Sequence, residues 1–170
     1  MFNQDIDAFN RYTGLLMYSL DNCKNAFEDL ESFNKELNER FYSNDFKSDI
    51  KDFNKLGRIN RVLKDYLILK IRTLFDKDPR TLSLLQLEEF LIKSKPEVGE
   101  QFKKELSDIR ERYAGTLEQI KRIADKVVAH ADNEEVELLH TADLLNNPIP
   151  SLVRELELLI VATGHKFHFT

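Results

Sequence analysis

The helical character of this chain is clearest in residues 50–74, IKDFNKLGRINRVLKDYLILKIRTL. Apolar residues recur there three or four positions apart and therefore share one face of an α-helix; they are Ile50, Phe53, Leu56, Ile59, Leu63, Leu67, Ile71 and Leu74. The helix should end near Asp76-Lys77-Asp78-Pro79, because proline disfavours helical geometry in the residue before it. It is long enough to lie antiparallel against another long helix.

Similar spacing predicts further helices on both sides of this stretch. They cover residues 6–41, 81–93, 97–130 and 150–163. Thr81 or Ser83 caps the short third helix, Gly115 marks a kink or a close contact in the fourth, and Gly164 ends the last. We therefore predict an all-α protein, a compact bundle of four main helices plus one short helix, forming a single domain over residues 1–170.

The composition narrows the class of protein. Five Gly and four Pro among 170 residues leave room for few, long helices. The net charge of −5 disfavours binding along long nucleic-acid duplexes, which requires a broad basic surface. The single cysteine, Cys23, excludes an internal disulfide, and neither a signal peptide nor a membrane-spanning run stands out. We expect a cytoplasmic protein that does not cross a membrane.

The strongest candidate for chemistry lies at residues 123–132, IADKVVAHAD. His130 stands at the end of an apolar helix, and an imidazole with an unperturbed pKa of roughly 6.5 exchanges protons near neutrality. Lys126 lies one helical turn before His130, and Arg122 lies one turn before Lys126. The two cations could therefore bind a phosphate beside the imidazole. The alternative is structural: cations near a helix C-terminus complement its dipole, and His130 merely finishes the helix.

Other polar residues have simpler explanations. Arg72 stands four residues before Asp76, which favours an intrahelical ion pair between them. Asp76 and Asp78 lack the graded oxygen spacing of a calcium loop and read as a turn. We therefore expect no metal site.

Three segments also resemble a known family: residues 69–78 (LKIRTLFDKD), Ser83-Leu84, and residues 125–132 (DKVVAHAD). They resemble the HEPN superfamily in its abortive-infection AbiU-like branch. The resemblance implies a HEPN-like bundle that is commonly a homodimer. It also implies a metal-independent endoribonuclease of bacterial phage-defence or toxin–antitoxin systems, without a cofactor and with RNA and a cognate antitoxin protein as partners.

The resemblance also implies roles for individual residues. In active members an arginine, usually followed by a polar residue, precedes the motif histidine, and two copies form one composite site. His130 matches the histidine and Asp125 the polar residue, which makes them the catalytic candidates, while Ala124 occupies the arginine position. The candidates for RNA contact are Lys126, Arg122 and Arg72.

Two other functions remain open at this point. One is a catalytically degenerate HEPN module that binds RNA or protein. The other is a purely structural helical interaction protein, in which His130 has no special role.

Overall fold

The computed structural model describes residues 2–42, 50–78, 80–129 and 148–169, and the secondary structure of this part is helical without strands. Within these ranges the chain forms six helices: α1 (Phe2–Tyr42), α2 (Ile50–Leu74), α3 (Leu84–Ser94), α4 (Pro96–Arg112), α5 (Ala114–Ala129) and α6 (Pro148–Phe169). The predicted all-α class is confirmed. The predicted number of helices is not, because five were expected and the described residues form six.

The helices enclose one apolar core. Helix α1 packs against α2 and α6, α4 against α3 and α6, and α2 against α5. The core includes the buried side chains of Phe9, Leu16, Leu20, Leu67, Ile71, Leu87, Leu91, Phe102, Leu106, Ile120 and Leu156. Within the described ranges, no helix is both long and apolar enough to cross a membrane.

Helices α1 and α2 lie antiparallel, as their lengths predicted. Near the end of α1, Asn34 accepts a hydrogen bond of 2.7 Å from the side-chain amide of Asn60, which lies in the middle of α2. Further along α2, Tyr66 lies near enough to Cys23, which is earlier in α1, for a charge on that thiol to raise the pKa of Tyr66. The two helices therefore run in opposite directions past each other.

The predicted helix over residues 97–130 is broken at Tyr113. The backbone there departs from α-helical values, with φ −104° and ψ 18°. The Tyr113 hydroxyl donates to Glu155 Oε1 at 2.9 Å, and Arg112 Nη2 lies 2.7 Å from Glu155 Oε2. In a regular helix, adjacent side chains point about 100° apart. Arg112 and Tyr113 nevertheless both reach the carboxylate of Glu155 on α6, and the break in the helix accompanies this shared contact.

A Cβ on Gly115 would meet nothing within 4 Å, so close packing does not explain that glycine.

Helix α6 continues past Gly164, so the prediction that this glycine ends it was wrong. Beyond it, Phe167 is 3% exposed and stacks on Phe9 with ring centroids 4.1 Å apart. Lys95 Nζ also donates to the Phe167 carbonyl oxygen at 2.6 Å. Burial of an aromatic ring outweighs the roughly 1 kcal/mol that a glycine costs inside a helix.

The start of α3 follows the prediction more closely. Ser83 precedes Leu84, and its hydroxyl accepts a hydrogen bond of 3.4 Å from the backbone N–H of Gln86. This is the N-cap arrangement expected of serine.

Gly99 permits a close approach between helices α3 and α4, which are joined by Lys95 alone. A Cβ at Gly99 would lie 2.5 Å from the backbone nitrogen of Ile92 and 2.6 Å from its Cα. Since neither backbone atom can rotate away, the packing of α4 on α3 requires glycine at this position. The sequence offered no local sign of this requirement.

Cys23 is expected to be chemically inert while the chain is folded. Its side chain is 0% exposed, and burial raises the pKa of the thiol from 9.0 to about 11, since the charged thiolate is poorly solvated there. The reactive species is the thiolate, so native protein at pH 8 should resist iodoacetamide and react after unfolding in guanidinium, as measured by mass spectrometry. Rapid labelling of the folded chain would contradict the burial.

The raised pKa of the Cys23 thiol also makes the free energy of unfolding depend on pH. The contribution of this thiol to stability is complete below pH 9 and is lost as the pH rises through about 11.

Candidate functional site

The structure brings together Arg72 and Asp125, two of the residues proposed from the sequence. Arg72 lies in the last turn of α2, and Asp125 lies in α5. Arg72 Nη2 is 2.8 Å from Asp125 Oδ1, and the two side chains are 39% and 49% exposed. The carboxylate therefore holds one edge of the guanidinium, while the side chain remains partly open to solvent.

The position of this ion pair follows from the apolar residues beside it. Ile71 and Leu74 on α2 are buried, as are Ile123 and Ala124 on α5, where the two helices pack. Each charged residue directly follows a buried one in the sequence. The core contact therefore fixes the two helices and leaves Arg72 and Asp125 facing each other at its edge.

The intrahelical ion pair expected between Arg72 and Asp76 is replaced by this contact. After Leu74 the chain tightens, with the Phe75 N–H bonded to the Arg72 carbonyl at 3.0 Å and the Asp76 N–H to the Thr73 carbonyl at 3.2 Å. Asp76 is consequently no longer one regular helical turn above Arg72. Its Oδ1 instead accepts the N–H of Asp78 at 3.1 Å, which agrees with the turn predicted there.

A shallow groove of about 390 Å³ adjoins the ion pair on the α2 side. Its lining includes Lys70, Arg72 and Asp76, together with Tyr66 and Thr73. Tyr66 and Lys70 were not among the residues predicted from the sequence. Lys70 belongs to the family-like segment 69–78, and Tyr66, Lys70 and Thr73 follow one another at helical spacings of four and three residues. The two cations, Lys70 and Arg72, can bind an anionic group, and the negative charge of Asp76 partly offsets theirs.

The remaining predicted residues are placed less completely. Arg122 is exposed on α5, three residues before Asp125 and therefore beside it on the helix surface. Lys126 lies in α5, but its side chain falls outside the described part, and His130 lies outside the described residues altogether. Within the described part, no three side chains of the types His, Cys, Asp or Glu gather as a metal site would require.

The helices that carry this ion pair lie within a region that matches a known family. A family model of HEPN domains, described as AbiU2, matches residues 24–163. The chain belongs to the HEPN AbiU2 family. The match begins in α1 and ends in α6, so it includes both helices that carry the ion pair. The AbiU-like resemblance found in the sequence is thereby confirmed. No curated protein and no solved structure matches the chain.

Membership of the HEPN AbiU2 family draws attention to Ala124, which occupies the position where the resemblance implies an arginine. Ala124 is 0% exposed and belongs to the apolar core. Its neighbour Asp125 points outward, and the guanidinium that meets it comes from Arg72 on another helix. In this member of the AbiU2 family, an arginine thus reaches the second half of α5 from α2.

Proposed function

We propose that this AbiU2-family protein acts on RNA in bacterial phage defence or a toxin–antitoxin system, as a metal-independent endoribonuclease. The observation that carries the proposal is the 2.8 Å contact between Arg72 and Asp125. It brings a guanidinium to the helix that leads to His130, five residues after Asp125. A phosphate-binding cation and an acid–base imidazole are the two groups that RNA cleavage needs.

The proposed reaction is an in-line attack of a ribose 2′-oxygen on the adjacent phosphorus. His130 accepts the 2′-hydroxyl proton, the bond from phosphorus to the 5′-oxygen breaks, and that oxygen takes up a proton from water, after which His130 returns its own proton to the solvent. The products are a 2′,3′-cyclic phosphate and a free 5′-hydroxyl. Arg72 offsets the charge that develops on the phosphate, assisted by Arg122 and Lys126 of α5.

Asp125 acts in this proposal as a positioning residue. A guanidinium has five N–H donors in a planar fork, so a bond to Asp125 through Nη2 leaves other donors for phosphate. The pair is partly exposed, and such ion pairs stabilise a fold by only about 0–1 kcal/mol. Its main effect should therefore be on RNA rather than on folding.

The family resemblance supports further parts of the proposal. We propose a homodimer in which two copies complete one site, with a cognate antitoxin protein as regulator and the cytoplasm as the place of action. Sedimentation of the purified chain should show a dimer. A stable monomer that cleaves RNA would contradict the shared site.

A second function is favoured by one observation, the burial of Ala124 at the motif arginine position. Without an arginine on α5 at that point, the protein acts instead as a catalytically degenerate module that binds RNA or a protein. This function predicts a stable complex with RNA and no turnover.

The deciding experiment incubates the purified protein with total RNA in the presence of a metal chelator. Ribonuclease activity predicts fragments that end in 2′,3′-cyclic phosphate. Binding of RNA without fragments would select the degenerate module. Neither binding nor cleavage by folded protein would reject both functions and leave a purely structural protein.

Replacing Arg72 by alanine should lower cleavage by roughly 100-fold, since loss of one electrostatic donor in a reaction centre typically costs that much. Lysine at this position should restore activity only in part, because it lacks the planar fork. Initial rates on a defined RNA measure both effects. Arg110→Ala, which removes an exposed arginine of α4, is the matched control and should cleave normally. Equal activity of the Arg72 and Arg110 variants would remove Arg72 from the site.

A further inference from the structure

A groove between α1, α2 and α6 is not used by the proposed reaction. Its volume is about 480 Å³, within the roughly 300–1,000 Å³ that small-molecule sites usually have. Phe27, Leu30 and Val153 give it an apolar wall. The groove can therefore bury the apolar part of a small molecule between three helices.

Two lysines line this groove, and their surroundings differ. Lys24 Nζ lies 2.7 Å from Glu157 Oε1 and 3.1 Å from Asp21 Oδ1. The hydrogen bond to Glu157 is the largest of the effects that raise the pKa of Lys24. The charge of Lys24 is thus already balanced within the protein.

Lys64, from α2, is the unbalanced member. It is half-buried and makes no hydrogen bond or ion pair with the rest of the described chain. Burial lowers its pKa, and among the described residues no carboxylate opposes that shift. A partly desolvated ammonium without a counter-charge costs free energy, which an anion bound in the groove would recover.

The rim of the groove limits the size of such an anion. Arg154 on α6 adds a third cation, but Glu28 and Glu31 stand exposed on α1. These carboxylates repel a polyanion such as nucleic acid. The groove therefore favours a ligand with a single anionic group, which would pair with Lys64.

We infer that this groove binds a small organic anion, whose carboxylate or phosphate group pairs with Lys64 while its apolar body packs against Phe27. The inference does not depend on RNA cleavage. Lys64 precedes Arg72 by eight residues of α2, which is about 12 Å along the helix axis and about 80° around it.

Calorimetric titration of the full chain with benzoate, phenyl phosphate and inorganic phosphate tests this inference. An aromatic anion should bind more tightly than inorganic phosphate, which has no apolar body. Lys64→Gln should weaken that binding by about tenfold or more, because a charge-assisted hydrogen bond is lost. The matched control is Lys55→Gln, an exposed lysine of the same helix, which should bind as the native chain does.

Thermal unfolding supplies a second measurement that does not depend on tight binding. Without any probe, Lys64→Gln should melt at or above the temperature of the native chain, since it removes a poorly solvated charge. The aromatic anion should raise the Tm of the native chain more than that of the variant.

Each outcome of these titrations has a defined meaning. Binding of benzoate alone assigns a carboxylate ligand, and binding of phenyl phosphate alone assigns a phosphate ester. Failure of all three probes to bind at about 10 mM, or equal binding by Lys64→Gln, would overturn the inference. RNA cleavage should be unchanged in Lys64→Gln, so failure here is distinguishable from failure of the proposed function.

Discussion

Replacing His130 with alanine is expected to abolish RNA cleavage. A positioned acid–base group typically contributes roughly 10²–10⁴-fold to rate, and alanine can neither accept nor donate a proton. The loss should exceed that of the Arg72 variants, because a substrate held by the remaining cations would still lack proton transfer. The measurement is the rate at which fragments ending in 2′,3′-cyclic phosphate appear, with a chelator present.

The control for this prediction is His165→Ala. His165 lies exposed on α6, beyond the residues matched by the family model, and should be dispensable for cleavage. Circular dichroism must show that the His130 variant keeps its helical content. Unfolding of the His130 variant would support a structural role for His130 at the end of its helix. Normal cleavage by a folded His130 variant would show that another residue transfers the proton.

Gly99→Ala is expected to lower the free energy of unfolding more than a glycine-to-alanine change at the other glycines, where an added Cβ would meet nothing within 4 Å. The new Cβ would approach the Ile92 backbone to 2.5 Å, so α3 and α4 must separate or bend. Overpacking of this kind costs about 1–3 kcal/mol, from which the better helix propensity of alanine subtracts up to about 1 kcal/mol. Because the obstructing atoms are backbone, we expect the upper part of that range and a Tm lowered by roughly 4–10 °C.

The same substitution at Gly14 isolates the packing effect. Gly14 is exposed in the middle of α1, and a Cβ there would meet nothing within 4 Å. Gly14→Ala should raise the free energy of unfolding by about 0.5–1 kcal/mol, since alanine favours the helix. Urea unfolding of the two variants gives the comparison. A shift of equal sign in both would mean that Gly99 does not hold α3 and α4 together.

Several features of this protein could be read from local patterns. The extent of α2, Ile50–Leu74, agrees with its apolar spacing, and Ser83 caps α3 as its side chain suggests. Both depend on residues within a few positions of one another, where periodicity and capping chemistry act directly. The family was recognisable for a similar reason, since its motif segments are short and continuous.

The candidate site was predictable only in part. Its α5 residues follow from a local motif, but Arg72 was assigned an interaction with Asp76, four residues away in its own helix. Its actual contact is Asp125, on a helix distant in sequence. Spacing along one helix carries no information about which charge another helix will present.

Local pattern was thus sufficient for the all-α class, most helix bounds and the family of this chain, because hydrogen bonding and amphipathic spacing act between near neighbours. Packing between distant helices was responsible for the break at Tyr113, the need for glycine at position 99, the ion pair of Arg72 and the unbalanced charge of Lys64. These features depend on which surfaces meet when the core closes, and helical periodicity specifies a buried face without specifying the face that covers it.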